Sequence, residues 1–546
     1  MDEMEDPVHM QAQTIIIIHP GSMYLKIGRA SDLNPHMELH AIARMRSKGG
    51  GVHVDTLLPQ VITNLDPNVE LEVDYCRLQV SHALQSCVMS DGQKRYATPP
   101  QQISQYNKRS VPETVNITGP QPYKSNNNVA IGNEVLCLDP ESELDYNIHF
   151  PMKRGDLNVH SGIGGSLTGV LTDLETIWSH IIVTNLNIPL NTLKHYRAVL
   201  IIPDVYNRQY LKELTNLILD MGFSSCFLLQ DHVAATFGAG VGSACVIDCG
   251  HAKTSISCVE DGTSHPVTRI RLPYGGGDIS QCLHWLLNRC GFPYKECDLT
   301  NNYDALLIEK IKQESCHVNL DVCGCKEKTF TVRKPKKPIL KYTIQLGDEC
   351  MIAPLGLFQP EIFSFTANKP IVTQKRTAGD SSDPHDAEYL RETSRKGTKD
   401  VQDPSTDALD DGDILDMDVS TDYEFSYGQL QFLPLDQAII QSIQRCPTDD
   451  MKRRMFGNIV VVGGGMKFKG IANWLKTKLE YQIPINLKPE TVEIISSPKE
   501  MDPVMTVWKG AAILSCLESA QELWITKEEF MKFGVKILRE RSPFIW

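Results

Sequence analysis

Short apolar runs alternate along the chain with segments whose apolar positions recur at helical spacing. Residues 14–30 hold an apolar run, a turn of sequence HPGS and a second apolar run ending at Gly28, which predicts strand, turn, strand. Buried strands are also predicted for AVLIIP (198–203) and NIVVV (458–462). Helical spacing of apolar residues predicts helices over 167–183, 207–221 and 469–480. The chain therefore combines buried strands with helices.

The opening pattern occurs a second time. Residues 244–262 contain the run ACVID, the turn CGHAK and the strand TSISCVEDG. Two strand–turn–strand units about 230 residues apart predict an internal duplication.

Two long stretches are polar. Residues 55–140 are rich in Gln, Asn and Pro, and segments such as 98–102 and 125–128 are predicted to be loops. Residues 366–429 carry Pro, Ser, Thr and charge with little apolar periodicity, and 407–424 contain eight acidic residues and no Lys or Arg. This composition predicts a disordered acidic insertion inside a folded domain. The insertion is either a histone-binding segment or an inert surface loop.

Bulk composition narrows the class of protein. With 546 residues, 41% of them apolar and 22% charged, the chain is expected to be a soluble globular protein of two to four domains. It has no apolar run of bilayer length, and its acidic first residues lack the basic region of a signal peptide. The net charge of -13 disfavours broad attraction to nucleic acid and permits a basic partner such as a histone. The 16 scattered cysteines are expected to be reduced, buried thiols.

Three glycine turns carry the candidate chemistry, at residues 20–22, 249–251 and 463–465. Each follows an apolar strand, and glycine lets backbone N–H groups approach an anion closely. Together they predict two phosphate-gripping hairpins that face a third loop on the side of an adenosine.

The motifs along the chain resemble those of the actin superfamily. They are YGGGD (274–278), GDE (347–349), LFQP (357–360), NIVVVGGG (458–465), VWKGAAIL (507–514) and ELWITKEEF (522–530), in the order that actin has them. The segments IIIIHPGS (15–22), YNIHFPMKRG (146–155), LLNRCGFPYKEC (286–297) and 533–546 are similar to nuclear actin-related proteins of ATP-dependent nucleosome-remodelling complexes.

This resemblance implies an actin-like α/β fold, with two duplicated ribonuclease-H-like halves around a nucleotide cleft. The implied first half spans 14–205, after an N-terminal tail (1–13), and includes a polar, loop-rich subdomain at about 50–140. The second half spans 206–365 and 430–510, interrupted by the insertion 366–429. Residues 511–546 are expected to return to the first half.

The resemblance also implies a cofactor, ATP, with Mg²⁺ as a candidate metal at Asp248. The implied cofactor-binding residues are Ser22, Met23, Lys26, Asp248, Cys249, Gly250, His251, Gly276, Asp278, Lys312, Gly464 and Phe468. No catalytic residue is carried over.

Several positions depart from the actin pattern. His19 stands in place of an Asp that helps hold the metal, Met23 in place of a Gly, and His251 in place of a second acidic residue. Groups that position the attacking water correspond to Ser255 and to Asp231 or its neighbour Gln230, and on the adenosine side Gln313 replaces a Glu and Val504 a Lys. Phosphoryl transfer to water depends on the metal and on a positioned water. We therefore expect weak or structural ATP binding with slow or absent hydrolysis.

The expected function is that of a non-catalytic scaffold subunit of a nuclear chromatin-remodelling complex that acts in transcription, DNA replication and repair. The resemblance implies as partners other actin-related subunits, nuclear actin, the motor subunit and histones or nucleosomes, with direct DNA contact left open and no membrane. The alternative is an active ATPase switch whose nucleotide state controls partner binding. A filament former is disfavoured by the polar stretch and the insertion.

Other features have a structural interpretation beside the functional one. Cys316, His317, Cys323 and Cys325 fit no strong zinc spacing, and buried thiols are favoured over a metal cluster. The basic run at 333–337 is a nuclear localisation signal, a DNA contact or a solvated loop. His19 and Asp248 are each also compatible with a simple turn-capping role.

Overall fold

The computed structural model describes residues 11–62, 66–118, 128–138, 145–366, 371–374 and 432–542. The strands are β1 (Ile15–Pro20), β2 (Tyr24–Arg29), β3 (His36–Leu39), β4 (Ile42–Met45), β5 (Glu113–Thr118), β6 (Val129–Ile131), β7 (Tyr146–His149), β8 (Met152–Lys153), β9 (Asp156–Leu157), β10 (Arg197–Ile202), β11 (Ser225–Gln230), β12 (Ser243–Cys249), β13 (Thr254–Glu260), β14 (Thr263–Ser264), β15 (Ile270–Leu272), β16 (Lys326–Val332), β17 (Pro338–Leu346), β18 (Val372–Thr373), β19 (Asn458–Val462), β20 (Glu493–Ile495) and β21 (Ile525–Thr526).

The helices are α1 (Pro67–Ser86), α2 (Pro100–Asn107), α3 (Leu167–Thr184), α4 (Arg208–Asp220), α5 (Asp231–Ala239), α6 (Gly276–Arg289), α7 (Asn302–Ser315), α8 (Glu349–Leu355), α9 (Leu435–Gln444), α10 (Asp449–Gly457), α11 (Ile471–Gln482), α12 (Thr506–Ser515), α13 (Lys527–Phe533) and α14 (Val535–Arg541). None of these helices is both long and apolar enough to cross a membrane.

Two large sheets share the topology of five strands and differ at their edges. The first has the strand order β21-β11-β10-β1-β2-β3, and the second has β18-β15-β13-β12-β19-β20 with β14 beside β13. In each sheet an antiparallel hairpin, β1–β2 or β12–β13, has a parallel strand, β10 or β19, on its other side. The predicted duplication into two α/β halves is therefore confirmed.

The first strand of each hairpin, β1 or β12, is buried on both faces. Ile16 and Ile18 of β1 pack into the core of the first half, while Ile15 and Ile17 pack into a cluster that includes Val246 of β12 and residues of β19. A strand covered on both faces requires a continuous apolar run, which explains the four isoleucines that open the chain's first strand.

Helices α5 and α12 cross closely beside this shared cluster. A Cβ atom on Gly510 would lie 1.7 Å from the carbonyl oxygen of Ala234, and one on Gly238 would lie 2.1 Å from that of Thr506. The backbones can approach this far only because both positions are glycine.

The boundary of the first half differs from the one expected. Strand β11 belongs to the first sheet, where Ser225–Gln230 pair with β10, so this half continues beyond residue 205. β21 also joins the first sheet by pairing with β11. A local apolar pattern predicts a strand, but it does not show which sheet the strand joins, because its pairing partner is remote in the sequence.

The polar stretch contains helices that the sequence analysis missed. Asp66 accepts a hydrogen bond from the Asn68 amide and caps α1, with Pro67 at its first position. The loop prediction for residues 98–102 is wrong from Pro100 onward, where α2 begins. The other loop predicted there, 125–128, lies outside the described residues except for Asn128.

The predicted insertion begins too early. Thr366 is buried, and Val372–Thr373 form β18 at the edge of the second sheet, paired with β15. Residues 367–370 and 375–429 of the predicted acidic insertion lie outside the described residues, as do residues 430–431 and residues 1–10 of the expected tail. Residues 11–13 of that tail form a short helical turn.

Candidate nucleotide-binding cleft

The two hairpins close with the same geometry. The amide of Gly21 donates to the Tyr24 carbonyl at 3.0 Å, and that of Gly250 donates to the Lys253 carbonyl at 2.9 Å. In the strands beneath these turns, His19 lies opposite Lys26 and Asp248 lies opposite Ser255. Corresponding positions of the two halves therefore carry different side chains on the same hairpin backbone geometry.

Each turn leaves backbone donors available. Within the described residues, the amides of Ser22 and Met23 in the first hairpin donate to no protein acceptor. The same holds for the amides of His251 and Ala252 in the second. Adjacent unpaired N–H groups in a tight turn form a concave site that favours an anion. The hydroxyl of Ser22 accepts a hydrogen bond from the Arg154 amide at 2.9 Å.

Burial and neighbouring charges shift the pKa values of His19 and Lys26 in the first hairpin. Burial lowers the pKa of His19 well below its ordinary value, and Lys26 and Lys253 lower it further. Burial also lowers the pKa of Lys26, although Asp248 and Asp502 oppose that shift. The Nδ1 atom of His19 is buried without a partner in the described part of the chain. The cleft thus holds a neutral imidazole on which two positive charges act.

A buried histidine, His40, is hydrogen-bonded to the turn of the first hairpin. Trp178 can only donate through Nε1, and this atom lies 3.3 Å from Nε2 of His40. His40 therefore carries its proton on Nδ1, which donates to the Gly21 carbonyl at 2.9 Å. Burial lowers the pKa of His40 to about 4, so the ring stays neutral. Sequence analysis missed this residue because its partners are far away in the chain.

Helix α6 and the third glycine loop support the second hairpin. The Gly276 and Gly277 amides donate to the carbonyls of Gly250 and His251 at 2.9 and 2.8 Å. The Gly465 amide donates to the Cys249 carbonyl at 2.8 Å. The structure thus brings the second and third predicted glycine turns together.

Two of the predicted cofactor-binding side chains make internal contacts. Lys312 donates to the Gly276 carbonyl at 2.8 Å and pairs with the Glu309 carboxylate at 2.8 Å, and both side chains are buried. Asp278 is fully buried and accepts from the Gly275 amide and the Thr366 hydroxyl, each at 2.9 Å. These groups hold α6 and α7 at the cleft.

The third loop has an open side at Gly464. A Cβ atom there would approach Val504 only to 3.6 Å, which is ordinary van der Waals contact. Phe468 is buried in the core of the second half, and Met23 of the first hairpin packs into the same cluster. Gln313 is exposed.

His251 connects the two halves. Its Nε2 donates to the Leu57 carbonyl at 2.8 Å, and Gln281 of α6 donates to the Pro59 carbonyl at 2.6 Å. The Ile62 amide then donates to the Phe365 carbonyl at 3.0 Å. Residues 57–62 of the first half therefore lie along the second half at the cleft.

Lys253 is the main residue of the site that sequence analysis overlooked. Its Nζ lies 3.3 Å from Asp231 Oδ2, 3.1 Å from Ser255 Oγ and 3.8 Å from Asp248 Oδ2. Burial raises the pKa of Asp231, and Lys253 opposes that rise. His232 also reaches Ser255, with its Nε2 3.0 Å from Oγ. The sequence signal that could have identified this residue is its position in the turn of the second hairpin, where a lysine would lie close to a phosphate.

Two further sequence hypotheses concern residues away from the cleft. Cys316, His317, Cys323 and Cys325 are not among the described side-chain groups that converge closely enough for a metal ion, and each cysteine is a free thiol. In the basic run at 333–337, Lys334 pairs with the buried Asp304 at 3.2 Å. This pairing engages one of the charges expected for a localisation signal or DNA contact.

Comparison with known proteins gives the family. The family model for actin matches residues 10–543. The chain belongs to the actin family. Actin-related protein 8 of Aedes aegypti is 50% identical over 99% of both chains, and that of Bos taurus is 39% identical over 98% of this chain and 93% of the relative. The solved structure of human actin-related protein Arp8 in its ATP-bound state matches with a TM-score of 0.86 and 39% identity, over 98% of each chain. The resemblance and the actin-like fold inferred from the motifs are confirmed.

Proposed function

We infer that this protein is an ATP-binding scaffold with little or no hydrolytic activity, acting as a subunit of a nuclear chromatin-remodelling complex. The observation that carries the nucleotide part is the pair of hairpins, whose unpaired turn amides lie near Lys26 and Lys253. A related human protein of the same fold is known in an ATP-bound state, which supports the same ligand here.

Slow hydrolysis follows from the groups at the water side of the cleft. Hydrolysis requires a water molecule held in line with the terminal phosphate and neutralisation of the developing charge. By resemblance, Asp231 and Ser255 stand where actin positions that water. Both side chains are bound to the Lys253 ammonium, at 3.3 and 3.1 Å. Their polar atoms are therefore engaged within the protein.

A scaffold role is supported by contacts across the cleft. Arg271 of β15 donates to the Arg154 carbonyl at 2.9 Å and to the Asp156 carboxylate at 2.7 Å in the first half. His251 bridges the halves through Leu57 on a separate path. These contacts join the two halves through protein groups and favour one fixed shape, which suits constant binding of partners.

Release and identification of the bound nucleotide tests this proposal. Protein incubated with ATP for several days, then denatured, should release intact ATP, because the cleft binds the nucleotide without positioning water. Lys26→Met should bind less ATP, since it removes a cleft charge, whereas Lys48→Met, at an exposed position, should bind as the parent does. Recovery of ADP, or a steady turnover of about 1 per second or more in pure protein, would contradict the proposal.

The partners belong to the same proposal. Through resemblance to nuclear actin-related proteins, this chain would bind other actin-related subunits, nuclear actin, the motor subunit and histones or nucleosomes, without forming filaments. Its role would then lie in transcription regulation, DNA replication and repair. A net charge of -13 is compatible with the basic surface of histones.

Nucleosome binding by the purified chain tests the partner proposal. The full chain is compared with a deletion of 376–430, which retains Val372–Thr373, and with a variant whose eight acidic residues in 407–424 become Asn or Gln. The full chain should bind nucleosomes. If it fails to bind them both alone and within the assembled complex, the recognition role is wrong. Equal affinity of all three proteins would exclude the acidic segment from binding.

A further inference from the structure

The ammonium group of Lys253 lies among three oxygen atoms of the cleft, those of Ser255, Asp231 and Asp248. The residue is only 9% exposed, so its charge is held in place and not dispersed in solvent. In the first hairpin the corresponding position is Tyr24, on the same turn geometry. The buried cation is therefore a property of this side chain and not of the hairpin backbone.

The groups around Asp248 do not fit Mg²⁺. This ion requires near-octahedral oxygen coordination at about 2.0 to 2.1 Å and prefers oxygen to nitrogen ligands. The matching position of the first hairpin is His19, a neutral imidazole, and the other loop side chain, His251, donates its Nε2 proton to Leu57. One Asp248 oxygen lies 3.8 Å from the Lys253 ammonium. The other oxygen lies beside Gly463, where an added Cβ atom would approach it to 2.6 Å.

The positive charges that a divalent ion would supply are already present. Lys26 lies opposite His19 in the first hairpin, and Lys26 and Lys253 both lower the pKa of His19, so both positive charges act on this part of the cleft. Two monovalent ammonium groups carry the formal charge of one divalent ion. Charge-assisted hydrogen bonds from an ammonium group and from turn amides to phosphate oxygens are among the stronger contacts that proteins make.

We propose that Lys253 is the resident cation of the nucleotide cleft and that this protein binds the phosphates of ATP without a divalent metal. The proposal rests on the nucleotide-binding function inferred above and specifies how the triphosphate is neutralised. Asp231 and Asp248 position the ammonium group, and the unpaired amides of both turns complete the site.

Calorimetry tests whether ATP binding is independent of the metal. Full-length protein is freed of nucleotide with apyrase, and ATP is titrated into it once with Mg²⁺ and once with EDTA. The parent protein should show dissociation constants within about threefold of each other in the two conditions. Lys253→Met should bind about 10- to 100-fold more weakly in EDTA, the loss expected for one hydrogen bond to a charged group. Mg²⁺ should restore part of that loss, because the substitution frees a carboxylate oxygen of Asp248.

Three further variants separate binding from folding. Lys253→Met combined with Asp231→Asn removes the buried carboxylate that the single variant leaves unpaired, and it should show the same new dependence on Mg²⁺. Lys253→Arg keeps the charge and should stay independent of the metal. Lys48→Met, at an exposed position, should behave as the parent does. Thermal unfolding of each variant checks that it is folded.

The outcomes distinguish this proposal from the function on which it rests. ATP binding that EDTA weakens about tenfold or more in the parent protein overturns the metal-independent site and leaves nucleotide binding intact. Unchanged, metal-independent binding by Lys253→Met and by its combination with Asp231→Asn also overturns the role of Lys253. If the parent binds no ATP in either buffer, nucleotide binding itself fails and this inference fails with it.

Discussion

The hairpin β1–β2 and the hairpin β12–β13 close with the same glycine hydrogen bond and the same strand register, yet their side chains diverge at every cleft position. His19 corresponds to Asp248, Tyr24 to Lys253 and Lys26 to Ser255. The first hairpin carries its positive charge in a strand, and the second carries it in the turn. Backbone geometry set by buried isoleucine and valine strands therefore places little constraint on the chemistry of the cleft.

The supports behind the hairpins differ as well. The first is held by a neutral histidine that donates to the Gly21 carbonyl. The second is held by amides of α6 and the third glycine loop, with the buried Lys312–Glu309 pair behind them. The first support depends on one titratable ring, whereas the second depends on close backbone packing and a buried ion pair. The two halves should therefore respond differently to mutation and to acid.

The largest effect is expected for Lys312→Met, behind the second hairpin. It leaves the Glu309 carboxylate buried without its counter-charge, which should lower the free energy of unfolding by about 3 to 5 kcal/mol in urea titrations without nucleotide. Adding Glu309→Gln should recover part of the loss. Lys310→Met on the same helix, whose partner Glu314 is 3.8 Å away at the surface, should cost less than about 1 kcal/mol. Equal losses for Lys312→Met and Lys310→Met would show that the buried pair is not the support.

A smaller loss of unfolding free energy is expected when a substitution pushes the third glycine loop away from the second hairpin. In Gly465→Ala the new Cβ would lie 2.5 Å from Cys249 Sγ and 2.6 Å from the Gly250 carbonyl oxygen. Because backbone must move, the unfolding free energy should fall by about 2 to 3 kcal/mol. Gly464→Ala, where the nearest atom is 3.6 Å away, is the matched control and should change it by less than about 1 kcal/mol. Equal unfolding energies for the two variants would contradict the close packing.

The smallest effect is the acid response of the first hairpin. Burial lowers the pKa of His40 to about 4 in the folded protein, from its ordinary value of 6.5. The unfolded chain therefore binds the proton first, and stability is lost as the pH falls from 6.5 towards 4. Between pH 7.5 and 5 this residue should account for about 2 kcal/mol of lost unfolding free energy.

The variant His40→Asn isolates that contribution. It keeps a donor for the Gly21 carbonyl but does not titrate, so its stability should fall less steeply with acid than that of the parent. Other histidines titrate equally in both proteins, and the difference between the two pH profiles is the measurement. Parallel profiles would mean that His40 does not link the first hairpin to pH.

Sequence reasoning succeeded where the signal was local. The strands β1, β12 and β19, the glycine turns after them and the helices α3, α4 and α11 follow from apolar runs and helical spacing. It failed at α1, whose surface is mostly polar although its cap, Asp66 followed by Pro67, was visible in the sequence. It also placed Thr366 and Val372–Thr373 in an insertion, because the edge strand is short and its partner β15 is remote.

Apolar patterns and motifs in the sequence predict the duplicated actin-like frame, the two hairpins and the positions that depart from actin. The contacts of the cleft side chains follow instead from how the elements pack together. His251 donates to Leu57, 194 positions away, and His40 contacts Trp178, 138 positions away. Lys253 has its carboxylate partner Asp231 on a different element. Hydrophobic periodicity is a local property, whereas the pairing of a buried charge or polar ring depends on which elements pack together.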